Sequence, residues 1–231
     1  TTGFKADRAN FESLLYQILR GAGDNTSENT SLTSGLSVGT GTRLLNTSKL
    51  HTQGSLINTG NSLDISIEGD GFFQVLLPDG RVAYTRSGAF SRNAEGTVTT
   101  ASGYPLQPEI TIPAEAVSIN ISSDGIVSVQ VPGAVESEEV GQITLADFPN
   151  RQGLQPNGES MLLETPASGA PIVAAPFEEG MGRTVQGSLE SSNVNVVQEL
   201  VDMIETQRAY EVSSKTITSV DEMMRYLAQN V

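Results

Sequence analysis

The chain has 231 residues, of which 37% are hydrophobic, and its 27 acidic and 13 basic side chains give a net charge of −14. This length allows one medium domain with appendages or two small domains. The acidic balance argues against a nucleic-acid-binding surface, which requires clustered basic residues. The sequence has no cysteine, which excludes disulfides and thiolate metal sites, and no apolar run long enough for membrane insertion.

The first segment, residues 1–21, is amphipathic. Its apolar residues follow the i, i+3, i+4 spacing of one helical face, with Asp7 or Asn10 as a cap; they are Phe11, Leu14, Leu15, Ile18 and Leu19. Three turns make a weak helix without a partner surface. The pattern therefore predicts a short helix, with an extended segment as the alternative.

Residues 22–62 form a polar arm dominated by Gly, Ser, Thr and Asn. Such a composition cannot form a core of its own. Two interpretations stay open at this point, and composition alone favours the first. The arm is a flexible linker, or it is an extended segment that becomes ordered only against a neighbouring molecule.

Residues 63–187 have the pattern of a β-rich domain. Leu63, Ile65 and Ile67 alternate with polar residues, and tight turns at "GDG", "PDG" and "NAEG" separate the strand-like runs that follow. Further strands are predicted at 116–121, 126–131 and 140–145. The Gly- and Pro-rich stretch 148–187 is interpreted as irregular cover and return path.

The last segment, residues 188–231, is predicted to be one long helix. Asn195 is a favourable N-cap, and Gln198 three residues later completes a capping-box pattern. No Gly or Pro interrupts 195–230, which allows a rod of roughly 50 Å.

Apolar residues recur along this helix with a heptad period. The residues that recur every seven positions are Val196, Met203, Tyr210, Ile217 and Met224. Leu200 lies half a heptad after the first of them. A heptad repeat over four periods indicates packing along another helix, although later half-heptad positions are polar. The alternative is a helix lying on its own β-domain, which a rod of this length would overhang. No second long helix is predicted, so the partner helix lies upstream or on another molecule.

The sequence offers no constellation of reactive groups. His51 is the single histidine, and it is interpreted as a solvated residue of the polar arm. With one histidine and no cysteine, most catalytic triads and transition-metal sites are excluded. Asp64, Glu68 and Asp70 resemble a calcium site only weakly, because their alternation with apolar residues fits the solvated face of a strand. We therefore expect no enzyme, no cofactor and no metal site.

A glycine-rich motif and a group of three arginines give only weak indications of function. The glycine-rich "GTGTR" at Gly39–Arg43 lacks the lysine of a phosphate-binding loop. Arg81, Arg86 and Arg92 lie close together in the sequence around the β-domain turns, and such a cluster permits contact with an acidic patch on a neighbouring copy.

The C-terminal stretch "SNVNVVQELVDMIETQRAYEVSSKTI" closely resembles the C-terminal motif of the bacterial flagellar rod and hook proteins. "TTGFK" at the start, "GDGFFQV" and "FPNRQGLQPNGE" also match the family pattern. The resemblance covers essentially the whole chain. "FESLLYQILRGAG" followed by the polar arm is most similar to distal rod members, and a proximal rod or hook subunit is the nearest alternative. Family members carry a long amphipathic helix before "TTGFK", and we expect that helix to lie upstream of this sequence.

This resemblance implies a structural subunit of a helical tube that transmits motor torque to the hook. Implied partners are further copies of the chain, proximal rod proteins, hook subunits and the surrounding envelope rings. The implied location is the basal body, from periplasm to outer membrane, after export in unfolded form through the flagellar type III apparatus. The expected fold is α+β and mainly β, a meander or sandwich-like domain with an extended arm and a C-terminal helix in a bundle. The expected interface comprises Phe4, Phe11, Val196, Leu200, Met203, Tyr210, Ile217 and Met224.

Two other classes of protein share some of these sequence features. A secreted adhesin with a coiled-coil stalk would fit the charge and the heptads, but it should show a more regular repeat and a signal peptide, which is not recognisable here. A hydrolase on a β-scaffold would need reactive groups that the sequence does not supply.

Overall fold

The computed structural model describes residues 1–22, 25–27, 30, 31, 33–133 and 137–229. The chain divides into two compact units, Thr1–Ser192 and Asn193–Val231. In chain order the elements are β1 (Asp7–Ser13), β2 (Tyr16–Arg20), β3 (Asn25–Ser27), β4 (Thr30–Ser31), β5 (Leu36–Gly39), β6 (Thr42–Lys49), β7 (Leu56–Asn58), β8 (Ile65–Glu68), β9 (Phe72–Leu76), β10 (Val82–Thr85), β11 (Phe90–Arg92), β12 (Val98–Thr100), β13 (Leu106–Gln107), β14 (Ser118–Ile121), β15 (Ile126–Gln130), β16 (Glu138–Gln142), β17 (Leu145–Asp147), β18 (Gln155–Pro156), β19 (Met161–Leu163), β20 (Ile172–Ala174), β21 (Arg183–Gln186), β22 (Ser188–Glu190) and the helix α1 (Val196–Gln229). A short 3₁₀ turn, Arg151–Gly153, lies between β17 and β18.

The first six strands form an antiparallel hairpin, residues 7–49, called the ribbon below. In it β1 pairs with β6, β2 with β5 and β3 with β4. The predicted helix in residues 1–21 is therefore wrong, and the extended alternative is correct. Pairing satisfies the backbone of β1 and β2 along their length, whereas three isolated helical turns have no partner surface. Residues 36–39 and 42–49, which composition alone favoured as linker, are paired here; residues 23, 24, 28, 29 and 32 of the predicted arm lie outside the described part of the chain.

The body of the first unit is built on a seven-stranded sheet. Its order is β18-β19-β10-β9-β17-β20, and β13 also pairs with β9. The predicted turn at "PDG" joins β9 to β10, and β14, β15 and β16 form a three-stranded antiparallel meander as expected. The interpretation of 148–187 as irregular is wrong, because it contains β18, β19, β20 and β21. These strands have two to four residues between Gly- and Pro-rich turns, too short for a periodic signal.

Both faces of this sheet are covered. Phe72 and Phe73 are neighbours in β9, and the alternation of a strand sends their side chains to opposite faces. Phe73 belongs to the larger core cluster with Ile65, Leu106 and Leu145, and Phe72 belongs to a smaller cluster with Tyr84 and Phe148. The paired phenylalanines are therefore explained by burial on two sides.

The second unit is dominated by α1, which has 34 residues and no buried side chain among them. At 1.5 Å per residue it is about 50 Å long. Residues 230 and 231, within the predicted helix, lie outside the described residues. In the described part of the chain no helix combines the length and hydropathy needed to cross a membrane.

Candidate assembly surfaces

The ribbon consists of successive two-stranded pairings. Asp7 pairs with Lys49 at one end and Arg20 with Leu36 towards the other, and the Leu14 N–H, which donates to the Gly41 carbonyl at 2.9 Å, links the two halves. The register shifts between Asn10 and Phe11, between Ile18 and Arg20, and between Asn25 and Ser27. A two-stranded ribbon without a packed face is marginally stable in water.

Large apolar side chains on the ribbon are exposed to solvent. Phe11 is 69% exposed and Leu15 88% exposed. The other members of this set are Tyr16, Ile18, Leu19, Leu36, Val38, Leu44 and Leu45. An apolar surface of this extent marks an interaction site.

A buried charge cluster fastens the N-terminal motif to the last strand of the first unit. The Glu190 carboxylate, on β22, accepts hydrogen bonds from Lys5 Nζ at 2.5 Å and from the Gly54 N–H at 2.8 Å. Arg86 Nη1 lies 3.4 Å from the other carboxylate oxygen, and Arg86 also donates to the Gly69 carbonyl at 2.8 Å. All three charged side chains are at most 5% exposed.

Burial controls the ionisation of the two cations. Loss of hydration lowers the pKa of Lys5, and the hydrogen bond and charge of Glu190 oppose that shift. Burial likewise lowers the pKa of Arg86, with Glu190 and Asp70 opposing it. Glu190 is therefore the counter-charge that both cations share inside the unit.

Close packing of the backbone completes this attachment. Gly3 has φ +66°, a left-handed conformation, and a Cβ at that position would lie 2.5 Å from the Ser87 nitrogen. Its N–H donates to the Glu190 carbonyl at 2.9 Å. Only glycine fits here without displacing backbone. Beside it Phe4, a predicted interface residue, is 39% exposed and lies 5.4 Å from Lys49 Nζ in a cation–π contact.

The predicted seam of α1 is exposed along its length. Exposed fractions range from 51% at Leu200 to 76% at Tyr210, and the set is completed by Val196, Met203, Ile217 and Met224. Asn195 Oδ1 accepts from the N–H groups of Val197 at 3.1 Å and Gln198 at 3.4 Å, which is N-cap geometry. The Gln198 side chain donates instead to Asp202 Oδ1 at 2.8 Å, one turn along the helix.

The structure corrects the interpretation of His51. Its ring lies half-buried, edge-on to Phe72 with ring centroids 5.7 Å apart. Burial lowers its pKa to about 4; the backbone of Arg151 opposes this shift, and the charges of Lys5, Arg151 and Arg86 add to it. The polar sequence around it gave no sign that this part of the arm packs on β9.

The three arginines are not a cluster. Arg86 is buried with Glu190, Arg81 pairs with Asp79 at 2.6 Å, and Arg92 donates to the Pro113 carbonyl at 3.3 Å. Sequence proximity around tight turns does not place side chains on one surface. The contact with an acidic patch on a neighbouring copy, which the sequence permitted, is therefore not open to Arg86, because that residue is buried.

The acids of the β8 region are also differently placed than expected. Glu68 pairs with Arg183 at 2.7 Å, and Asp70 pairs with Arg151 at 2.6 Å. Asp64 is buried and accepts hydrogen bonds from Thr59 and Asn61. The solvated-face interpretation therefore fails at Asp64. Among the described residues no group of acidic or histidine side chains is arranged to hold a metal ion.

The Lys5–Glu190–Arg86 cluster was missed from sequence. Lys5 is 185 residues from Glu190 in the sequence, and Arg86 is 104 residues from it. Neither "TTGFK" nor "GSLESS" carries a local pattern that indicates burial of the charged residue. Only tertiary structure brings these residues together.

Two family models of known proteins match parts of the chain. Residues 66–129 match the family model of the flagellar hook protein FlgE/F/G D1 domain, and residues 185–230 match that of the flagellar basal body rod FlgEFG protein C-terminal region.

Full-length relatives are similar throughout. The chain is 50% identical over 229 residues to the flagellar basal-body rod protein FlgG of Buchnera aphidicola subsp. Acyrthosiphon pisum. This alignment covers 99% of this chain and 88% of the relative. It is 45% identical over 226 residues to FlgG of Borreliella burgdorferi, covering 97% and 85%. Similarity to the rod protein FlgF of Caulobacter vibrioides is lower, 34% over 179 residues, covering 75% and 67%. The chain therefore belongs to the FlgG family of flagellar basal-body rod proteins, a family of structural subunits and not of enzymes.

Proposed function

We propose that the chain is the structural subunit of the flagellar distal rod, a helical tube that transmits motor torque to the hook. The observation that carries this proposal is α1, a helix of 34 residues with an exposed apolar seam and no buried residue. A helix of that length with an apolar stripe requires partner helices. Non-closing contacts between identical copies build a filament rather than a ring.

In this proposal the seam residues of α1 form the inner wall of the tube as a coiled-coil-like bundle. The partner helix is either upstream in the same polypeptide or on another copy, and a tube wall can bury a helix on more than one side. Phe4 and Phe11 belong to the same set of contacts on the first unit. Their exposed fractions of 39% and 69% support this role.

The ribbon would lie between neighbouring copies and the β-rich body would form the outer layer. Contacts of this kind between subunits of the rod would make the shaft stiff. Further neighbours in the proposal are proximal rod proteins, hook subunits and the envelope rings in which the rod turns. The subunit would reach the periplasm unfolded through the flagellar type III apparatus; with no cysteine in the sequence, no disulfide opposes its unfolding.

Electron microscopy of purified basal bodies, labelled with an antibody against the β-rich body, tests this assignment. Label on the shaft between the outer rings and the hook is the expected result. Label nearer the inner membrane would make the chain a proximal rod subunit, and label on the hook would make it a hook subunit. Unlabelled basal bodies, with the epitope shown to be accessible, would overturn the proposal.

A further inference from the structure

The turn between β18 and β19 contains the one Asn-Gly pair of the sequence, Asn157 and Gly158. Both residues are exposed. In such a pair the backbone nitrogen of the glycine can approach the side-chain carbon of the asparagine, because glycine has no side chain to obstruct it. A Cβ built on Gly158 would meet no atom within 4 Å, so the space around the turn is open as well.

Neither of these two groups is held by a hydrogen bond. Within the described part of the chain, the Asn157 side-chain amide and the Gly158 N–H have no hydrogen-bond partner. Other asparagine side chains are held in place. Asn46 Oδ1 accepts from Asn10 at 2.8 Å, and Asn93 Oδ1 accepts from two backbone N–H groups at 2.8 and 3.0 Å. The Asn157 amide is therefore free to turn towards the next nitrogen, whereas these amides are not.

The same turn is strained, which lowers the cost of opening it. Glu159 and Ser160 have φ values of 49° and 58°, a left-handed conformation that residues with a side chain seldom adopt. One of the bonds that close the turn runs from the Met161 N–H to the Gly158 carbonyl at 2.8 Å. Rotation of the Gly158 peptide breaks this bond, and release of the strain at Glu159 and Ser160 offsets the loss.

We propose that Asn157 is a site of spontaneous deamidation in the folded chain. The Gly158 nitrogen attacks the side-chain carbonyl carbon of Asn157, and the new C–N bond closes a succinimide ring. The bond from that carbon to the amide nitrogen breaks, and the proton lost by the Gly158 nitrogen leaves with it as ammonia. Water then opens the ring at either of its carbonyl groups and gives aspartate or isoaspartate. The reaction needs no co-reactant besides water, and it does not depend on the proposed rod function.

Both products change the turn and leave the core in place. Each replaces a neutral amide by a carboxylate next to Glu159, which accepts a hydrogen bond from the Ser102 hydroxyl at 2.6 Å. Isoaspartate also adds one carbon to the main chain of the turn, where the Ser160 carbonyl accepts from the Thr85 hydroxyl at 3.1 Å. Because β18 lies at the edge of the sheet, the change stays local. The modification therefore accumulates with the age of a folded chain without unfolding it.

Peptide mapping of the full chain tests this proposal. The purified chain is incubated at mildly alkaline pH, and samples taken over time are cleaved with trypsin. The tryptic peptide 152–183 contains Asn157 as its single asparagine, and peptide 44–49 contains Asn46 as an internal control. Mass spectrometry measures the mass gain of the conversion from amide to acid, and fragment spectra locate it and separate isoaspartate from aspartate. A synthetic peptide of residues 155–160 is the unfolded reference.

The rate of conversion at Asn157 in the folded chain should lie within about tenfold of the rate in the synthetic peptide, because an exposed turn opens at little cost. Isoaspartate should be among the products, and Asn46 should remain unconverted over the same time. A slower rate at Asn157 would show that the fold protects it and would overturn the proposal. Aspartate without isoaspartate would exclude the succinimide route, and equal conversion of Asn46 would refute the protection by hydrogen bonds.

Asn157→Gln is the matched variant, because glutamine is polar and exposed in the same way but its longer side chain closes the ring far more slowly. The mass gain in peptide 152–183 should disappear in this variant. A gain that persists at the original rate would place the reaction at Gln152 or Gln155 and refute the assignment to Asn157.

Discussion

At the scale of single residues, burial decides which charges matter for stability. Asp79 and Arg81 form an exposed pair, which solvent screens. Glu190 is fully buried with two cations, so solvent neither screens these ion pairs nor could replace one that is lost. Removing one member of a buried set leaves the others without compensation, which is far more costly than losing a surface pair.

Glu190→Gln should therefore destabilise the first unit by about 3 kcal/mol, because Lys5 and Arg86 lose their shared counter-charge. Urea unfolding followed by circular dichroism measures the change. Asp79→Asn is the control, and its unfolding midpoint should equal that of the unmodified chain. Equal midpoints for Glu190→Gln and the control would refute the role assigned to the cluster.

His51 makes stability depend on pH. Its folded pKa of about 4 lies below the ordinary value of 6.5, so the unfolded chain binds the proton more readily between these values. The stabilisation is fully present above pH 6.5 and declines as pH falls towards 4. His51→Phe keeps a ring beside Phe72 and removes the titration. We expect its free energy of unfolding to fall less than that of the unmodified chain between pH 6.5 and pH 4, with little difference at pH 7.5.

At the scale of elements, close backbone contact fixes β8 against the turn after β10. The Ile65 N–H donates to the Gly88 carbonyl at 3.0 Å, and a Cβ on Gly88 would lie 1.5 Å from the Ile65 oxygen. Gly88→Ala must therefore separate two backbone segments in the core, and we expect a loss of at least ~3 kcal/mol, typical of severe core strain.

Gly39→Ala is the matched control for that substitution. The nearest atom to its new Cβ is a movable ring carbon of Tyr16 at 3.3 Å. In thermal unfolding, Gly88→Ala should have a clearly lower midpoint than Gly39→Ala. If Gly88→Ala unfolds at the same temperature as Gly39→Ala, the contact is looser than described.

The helix α1 allows a test of its seam apart from folding. Ile217 is 70% exposed, and Ser219, on the opposite side of the helix, is also exposed. Lysine at either position should leave the helical circular dichroism signal of the single chain unchanged. Ile217→Lys should remove the subunit from rods, since a charge would be buried in the bundle, whereas Ser219→Lys should assemble. The amount of each variant in purified basal bodies measures its incorporation into rods. Normal incorporation of Ile217→Lys would exclude this seam as an interface.

Sequence patterns were informative where the periodic signal was long. The heptads of α1 and the strands β9, β10, β14 and β15 were found in this way. They failed for β1 and β2, where Phe11, Leu14, Leu15 and Ile18 imitate a helical face although pairing with β5 and β6 determines the conformation. They also could not identify Glu190 or His51 as buried, because burial at those positions depends on residues distant in sequence.

At the scale of the whole molecule, stability and assembly use separate residues. The buried hydrophobic clusters of the first unit contain residues between Ile65 and Met181, and none of them comes from the ribbon. The exposed apolar residues lie mainly on the ribbon and α1. A change to the ribbon should thus affect the polymer and leave the fold of the body intact.

Shortening the ribbon tests this separation directly. Deleting residues 21–34 and placing one Asn before Gly35 joins β2 to β5 through an Asn-Gly turn, the favoured two-residue hairpin connection, so that Arg20 still pairs with Leu36. The body should unfold at the same temperature as in the intact chain, because its core is unchanged. Rods built from the shortened subunit should bend more, since contacts between copies are lost. The control carries the added Asn without the deletion. Curvature of isolated rods in electron micrographs measures the effect, and shortened rods as straight as the control would show that residues 21–34 contribute nothing to stiffness.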